Sequence, residues 1–183
     1  MKIAVYGKGN VGGGLADLWE RAGHQVKRLG REGGDVSDVQ VVLISVPGNA
    51  VPDALSKLKG LEGKTVIDAT NRIGNEPPPG FRSNAEYIKS RTNGPTAKSF
   101  NNNFAALYGE LGKARRKPTN LWCGDAEARA AVEQLIRDAG YDPLYAGPLS
   151  NAADQEYLVK IIFAVMQGGL GPFVFRMAHP DEL

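Results

Sequence analysis

Met1-Lys2-Ile3-Ala4-Val5-Tyr6-Gly7-Lys8-Gly9-Asn10-Val11-Gly12-Gly13-Gly14 opens the chain, and the reading of this stretch decides the fold. A β-branched and apolar run, Ile3, Ala4 and Val5, stops at Gly7. An apolar helical period, Val11, Leu15, Leu18, Trp19 and Ala22, begins at once on the far side. The pattern predicts a strand, a tight turn and a helix. G-x-G-x-x-G at that junction has a mechanical meaning: Gly7 permits the turn, Gly9 lets a pyrophosphate touch the backbone, and Gly12 brings helix close to strand. N–H groups left unpaired at the helix start face the phosphates, with the positive end of the helix dipole behind them. Lys8, Asn10 and Val11 lie between the glycines and belong to the same dinucleotide cradle. Gly13 and Gly14 each cost the helix roughly 1 kcal/mol relative to Ala, which close approach of a ligand or of neighbouring backbone would explain.

Beyond the cradle, strands and helices alternate. Gly23-His24 turns the chain into a second strand, His24 to Leu29, with His24 expected as a surface turn residue. The Gly30–Asp35 loop is too short for a crossover helix. Val39 to Val46 is almost continuously apolar, as a strand buried on both faces should be, and ends at Ser45-Val46-Pro47. Asn49 as cap and Pro52 in the first turn signal a helix carrying Leu55 and Leu58 on one face. Lys64 to Asp68 forms a fourth strand that runs into Ala69-Thr70-Asn71, and residues 75–80, rich in proline, form an exposed loop. Ser83 and Glu86 make a capping box for a helix to about Lys89.

A fifth strand, Thr96 to Phe100, stops at Asn101-Asn102-Asn103, and Phe104, Leu107, Tyr108 and Leu111 are spaced as a helix face. Lys113, Arg115, Arg116 and Lys117 read as a solvated loop. Leu121 to Cys123 is a sixth strand, Ala126 to Ala139 an amphipathic helix ended by Gly140, and Pro143 to Ala146 a seventh strand. A last helix, about 151–167, carries apolar residues broadly enough to suggest burial on more than one side, either as the brace of a monomer or against a second subunit.

The pattern predicts an α/β chain: one Rossmann-type domain over 1–183, a doubly wound, mostly parallel sheet with a buried C-terminal helix. In such sheets ligands bind outside the carboxyl ends of the strands. Net charge is only +2 with basic residues scattered, so nothing points to nucleic acid or an anionic membrane. The lone Cys123 excludes an internal disulfide framework and is expected as a buried small hydrophobe. The chain begins directly in a strand without a signal-like segment, and the uncharged stretch from Ile161 to Phe175 is too short and too glycine-rich to span a membrane. It is expected to be a buried helix end in a cytoplasmic protein. At the end of the second strand, Lys27-Arg28-Leu29-Gly30-Arg31 offers no acid before Glu32. Arg31 can present a planar fork to a 2′-phosphate, with Lys27 or Arg28 adding field, so NADP is expected over NAD.

Taken together, Gly7-x-Gly9-Asn10-Val11-Gly12, Gly23-His24-x-Val26 with Arg31, Val41-Val42-Leu43 to Val46-Pro47, and Val66-Ile67-Asp68-Ala69-Thr70-Asn71 resemble the NADP-binding reductases that work with coenzyme F420. So do Lys98-x-Phe100-Asn101, Ala146-Gly147-Pro148-Leu149 with Asn151-Ala152, and Gly168-Gly169-Leu170-Gly171. The resemblance covers nearly the whole chain, and the oxidoreductase domain of transmembrane metalloreductases is similar in the same places. It departs at Lys8, where the family commonly has Thr or Ser, at Gly30, where it has Ser, and at Arg72, where it has Pro. The last faces the substrate side and bears on the electron acceptor.

The resemblance implies that Ser45, Val46, Pro47, Thr70 and Asn71 line the cofactor. Val46 and Pro47 would form an apolar wall at the nicotinamide, and Asn71 and Asn101 would position its carboxamide or the acceptor. It also implies hydride transfer between NADP(H) and a deazaflavin (coenzyme F420) or flavin acceptor. Only His24 and His179 are available as histidines, and no metal-ligand cluster or nucleophile triad is signalled. That poverty of acid–base residues suits an acceptor whose proton comes from solvent. Two other readings share the motif: a hydroxyacid or pyrroline-carboxylate dehydrogenase, which normally adds a large helical domain after the equivalent of Leu149, and a non-catalytic module that senses NADP(H).

Overall fold

The computed structural model describes residues 1–74 and 76–182. In chain order the elements are β1 (Lys2–Tyr6), α1 (Asn10–Arg21), β2 (Gln25–Leu29), β3 (Gly34–Asp35), β4 (Val41–Ile44), α2 (Val51–Ser56), β5 (Leu58–Lys59) and β6 (Thr65–Asp68). There follow α3 (Asn84–Thr92), β7 (Thr96–Ser99), β8 (Thr119–Gly124), α4 (Arg129–Asp138), β9 (Asp142–Tyr145) and α5 (Ala152–Val165). Among the described residues the main sheet has seven strands in the order β2-β1-β4-β6-β7-β8-β9. All neighbours are parallel except the pair β7–β8. The fold is therefore the doubly wound, mostly parallel α/β sheet that the alternation predicts.

Side-chain alternation along the strands feeds two cores. Ile3, Val5, Val41, Leu43 and Ile67 meet Leu15, Trp19, Val132, Leu135 and Ile136 on the face covered by α1 and α4. Ala4, Tyr6, Val42, Ile44 and Val66 meet Val51, Leu55 and Ile88 on the face covered by α2 and α3. Trp19 stands at the centre of the first, fully buried, its indole N–H donating to the Leu135 carbonyl at 2.9 Å and its ring edge-on to Phe100 at 5.6 Å. Cys123 is buried as expected, and burial pushes its thiol up to about 12.

Several local expectations are corrected. Residues 104–111 form no α-helix; the chain makes two short 3-10 turns, Ala105–Leu107 and Leu111–Lys113. Gly109 and Gly112 interrupt the period there, while Tyr108 and Leu111 still reach the core. Asn49 caps nothing: it lies in the 3-10 turn Gly48–Ala50, and α2 starts without a side-chain cap. The Gly30–Asp35 loop contains β3, which pairs in parallel with β5. His24 is not a surface turn residue; its Nε2 lies 2.8 Å from Asp138 Oδ2, tying the start of β2 to the end of α4. At α3 the Ser83 hydroxyl accepts from the Glu86 N–H as predicted, but the Glu86 carboxylate accepts from the Arg82 N–H, one residue outside the expected box. Asn75, in the expected 75–80 loop, lies outside the described residues.

Helix α5 buries Ala152, Gln155, Val159 and Ile162 only. Tyr157, Ile161 and Val165 on its other face are exposed, as are Leu170, Val174 and Met177 beyond it. Burial of this helix is thus one-sided within the chain, and the stretch from Ile161 to Phe175 is not a buried helix end. After a π-type turn over Met166–Leu170, the tail runs back over the start of β8. The Phe175 carbonyl accepts from the Thr119 N–H at 2.8 Å, and the Met177 N–H donates to Thr119 Oγ1 at 2.9 Å. No described helix is long and apolar enough to cross a membrane.

Candidate functional site

The carboxyl ends of β2, β1, β4, β6 and β7 lie side by side along one sheet edge. The edge therefore carries, in spatial order, Arg31, Gly7 to Gly9, Ser45 to Pro47, Ala69 to Asn71, and Phe100 to Asn102. The three motif glycines perform three different tasks. At Gly7 the backbone has φ +113°, and an added Cβ would lie 2.4 Å from the Ser45 carbonyl oxygen. At Gly12 a Cβ would lie 2.0 Å from the Gly7 carbonyl oxygen, because α1 leaves β1 at the closest approach the backbones allow. At Gly9 a Cβ would meet nothing within 4 Å. Gly9 thus keeps a bare, exposed stretch of backbone at the N-terminus of α1, where an anionic group can touch N–H groups directly. Residues and geometry here fit a dinucleotide pyrophosphate. Gly14 has a different origin: a Cβ there would strike the Tyr108 ring at 2.4 Å, so a core side chain accounts for it.

Ser45 buttresses this turn. Its hydroxyl donates to the carbonyls of Tyr6 and Gly7 at 3.1 and 3.2 Å. A cavity of about 590 Å³ opens beside it, lined by Lys8, Gly9, Arg31, Ser45, Val46 and Pro47 together with Tyr6 and Lys57. Burial pushes the Tyr6 phenol up, with Lys57 acting the other way, and its hydroxyl donates to the Arg31 carbonyl at 3.4 Å. Lys27 and Arg28 do not join this cavity. Lys27 reaches the Asp35 carbonyl and Asp38, and Arg28 turns back to Asp17 and Glu20 on α1. Lys8 and Lys57 line it instead; Lys57, which has no signal in the opening motif, is paired there at 2.6 Å with Asp53, itself a lining residue. Glu32 accepts from the Gly30 N–H at 3.3 Å, and backbone hydrogen bonds, its own N–H first and then that of Gly30, hold its carboxyl below the usual range, with Lys8 adding to the effect.

A second cavity, about 180 Å³, lies further along the edge, lined by Val11, Ala69, Asn71, Phe100 to Ala105, Val159, Ile162 and Phe163. None of these lining residues titrates. Asn71 and Asn101 clasp each other: Asn71 Nδ2 donates to the Asn101 carbonyl at 2.8 Å, and Asn101 Nδ2 to Asn71 Oδ1 at 3.0 Å. Gln155, from the buried face of α5, donates to Asn101 Oδ1 at 2.8 Å. Phe100, just before, holds φ +61°, a left-handed conformation uncommon for a bulky residue, with the Asn120 carboxamide accepting from its N–H. Phe104 walls the mouth, its ring 6.0 Å from Phe163 and 5.6 Å from Phe173 of the tail. Thr70 stands apart from both cavities. It is buried, with Oγ1 accepting from Asn84 and its carbonyl accepting from Lys98 Nζ.

Behind the edge is a buried ion network. Lys98 Nζ lies 2.8 Å from Asp68 and 2.9 Å from Glu156, and Arg72 Nε stands 3.6 Å from Glu156. Burial disfavours the charge on Lys98, but the two carboxylates outweigh it and its pKa is raised. Arg72 also lines a third cavity of about 530 Å³ with Arg82, Tyr157 and Lys160.

No family model and no curated protein sequence matches the chain. Solved structures do. A candidate F420-dependent NADP-reductase from Arthrobacter sp. FB24 superposes with TM-score 0.82 at 22% identity, over 98% of this chain and 100% of that one. A reductive aminase from Aspergillus terreus, in complex with NADPH and ethyl-5-oxohexanoate, gives TM-score 0.68 at 17% identity over 91% of this chain. A 3-hydroxyisobutyrate dehydrogenase from Mycobacterium tuberculosis gives 0.63 at 14%, again over 91%. The chain spans 62% and 61% of those two proteins' own lengths, and the whole of the first. The chain has the Rossmann-type fold of these proteins.

Proposed function

We propose that this protein is an NADP(H)-dependent oxidoreductase that passes hydride between NADP(H) and a deazaflavin, such as coenzyme F420, or a flavin. The observation that carries the reading is the row of sites along one edge: an open glycine cradle, a cation-bearing cavity on one side and a non-titrating aromatic and amide cavity on the other. Gly7, Lys8, Gly9, Asn10, Val11 and Gly12 would hold the pyrophosphate, and Arg31 with Lys8 and Lys57 the 2′-phosphate. Ser45 supports the turn, and Val46 and Pro47 offer the apolar wall between the two halves. Asn71 and Asn101 act as positioning groups, because most of their hydrogen-bonding capacity is already committed to each other and to Gln155. Thr70 acts at one remove, through Asn84 and Lys98.

When bound, NADP(H) supplies the hydride. The chain itself binds, orients and excludes water, and no lining side chain is asked to exchange a proton. That favours a flat conjugated acceptor whose proton comes from solvent over a ketone or imine, which would need a donor at the reacting atom. The similarity over the full length of the Arthrobacter protein supports the same reading. We take the chain as one domain over 1–183, assembling as a homodimer through the exposed face of α5. Stopped-flow absorbance at 340 nm with NADPH and a panel of F420, FMN, FAD and a cyclic imine tests it. Oxidation of NADPH by F420 or a flavin and not by the imine is expected; the converse, or binding without turnover for every acceptor, refutes it.

A further inference from the structure

The loop that runs from Phe104 to β8 carries Lys113, Arg115, Arg116 and Lys117, all four exposed. Both of its ends are at the edge that bears the candidate site. β8 is antiparallel to β7, so Thr119, its first residue, lies where the parallel strands end. The Thr119 carbonyl accepts from Asn103 Nδ2 at 3.1 Å, and Asn103 and Phe104 both line the cavity of about 180 Å³. Lys117 stands two residues before Thr119, which keeps its backbone within about 7 Å of that residue. The C-terminal tail ties the two ends together. Phe173 and Phe104 have ring centroids 5.6 Å apart, and Arg176, three residues further on, donates to the Lys117 carbonyl at 2.8 Å. Three residues of chain span at most about 11 Å, so the basic loop begins beside the aromatic mouth of the cavity.

Lys113 pairs with Glu110 at 2.7 Å, and Arg176 pairs with Asp142. Arg115, Arg116 and Lys117 form no ion pair among the described residues. In a chain whose net charge is only +2, three adjacent cations of this kind make a local concentration of positive potential. The cavity beside them has apolar and amide walls and no charge of its own. It is also smaller than the roughly 300–1,000 Å³ usual for a drug-sized ligand, so a three-ring acceptor that reaches it leaves its substituent outside. We infer that Arg115, Arg116 and Lys117 form an anion-binding site for the phosphate on the side chain of a flavin or deazaflavin acceptor whose ring lies at the Phe104 mouth. The ribityl chain between a flavin ring and its phosphate has a reach similar to the span from Phe173 to Arg176. An Arg fork takes a phosphate through two parallel N–H···O bonds, and at exposed cations that attraction is screened by salt. The inference rests on the reading of this cavity as the acceptor end of an NADP(H) site.

Flavin fluorescence titration of the intact protein, with NADP+ at saturation to fill the glycine cradle, tests it. Riboflavin and FMN carry the same ring, and only FMN carries the phosphate. Expected is FMN binding roughly tenfold tighter than riboflavin at low ionic strength, a preference that fades near 1 M salt, where the screening length is about 3 Å. The preference should disappear in the triple variant Arg115→Gln, Arg116→Gln, Lys117→Gln, and turn toward riboflavin in Arg115→Glu, Arg116→Glu. All three side chains are exposed, so the melting temperature should stay that of wild type. The inference is overturned if wild type binds the two flavins alike or binds neither, if its preference is indifferent to salt, or if the triple variant keeps it. A wild type that prefers FMN but binds no NADP+, or passes no hydride from NADPH to either flavin, instead refutes the proposed function and leaves the anion site standing.

Discussion

Gly7, Gly9 and Gly12 look alike in sequence and differ in what a side chain would meet, which makes them separable by mutation. Valine at Gly9 has room in the folded protein, since nothing lies within 4 Å of its Cβ and φ is −74°. Gly9→Val is expected to abolish NADPH binding with an unchanged melting temperature. Gly12→Val drives a side chain into the Gly7 carbonyl, so it should lower the melting temperature as well. On the proposed function, cofactor preference would be set just beyond β2, which ends at Leu29, by the neighbouring opposite charges Arg31 and Glu32. Arg31→Ala should weaken NADP by roughly 1–3 kcal/mol and NAD hardly at all. Glu32→Gln removes the anion seated on the Gly30 N–H, and the NADP-to-NAD affinity ratio should rise; equal changes for both cofactors would count against a 2′-phosphate site here. The turn at Gly7 and the close approach at Gly12 were legible in the sequence because a local turn needs only its neighbours. Lys57 in the cavity was not, because it is brought in by the end of α2.

At the level of elements, strands and helices with a clear period were found where the sequence put them, with ends shifted by up to three residues, as at the end of α3 and the start of α4. The failures share a cause. The 104–111 segment has the apolar spacing of a helix, but two glycines and its pull toward Gly14 and the core win over periodicity. The Lys98 network could not be read either, since Asp68, Lys98 and Glu156 belong to β6, β7 and α5. It fixes α5 across the carboxyl edge, so its loss should be felt in both stability and site geometry. Lys98→Met leaves Asp68 fully buried without its cation, and a cost of about 3–5 kcal/mol is expected in urea denaturation. The sign of the pH dependence follows from the raised pKa of Lys98. Its contribution is fully present below the unfolded lysine value of about 10.4 and is lost as pH rises through the higher folded value. The stability gap between wild type and Lys98→Met should therefore be flat from neutral pH to about pH 9 and close only in stronger alkali. A gap that closed near neutrality would mean the network is not held by a charged lysine.

For the molecule as a whole, the apolar residues of α5 pose the question that composition raised and a single chain leaves standing. Ala152, Gln155, Val159 and Ile162 face the sheet, while Tyr157, Ile161 and Val165 recur every four residues on the outer face, continued by Leu170. Burying one such side chain is worth roughly 1.5–3 kcal/mol, so a stripe of this length in water favours association. A second copy offers the simplest complement, because a two-fold axis beside the stripe sets Ile161 of one protomer near the same face of its partner. The same helix lends Val159, Ile162 and Phe163 to the cavity of about 180 Å³ and Gln155 to the Asn101 amide, so its outer contacts bear on the rigidity of the candidate site. Ile161 lines none of the cavities described above, which makes it the position to change. Light scattering across the micromolar range should give a dimer for wild type and a monomer for Ile161→Asp, with 2′,5′-ADP affinity preserved and turnover lowered in the monomer. A wild-type monomer at the highest concentration, or a variant that stays dimeric, would remove this face of α5 from the assembly.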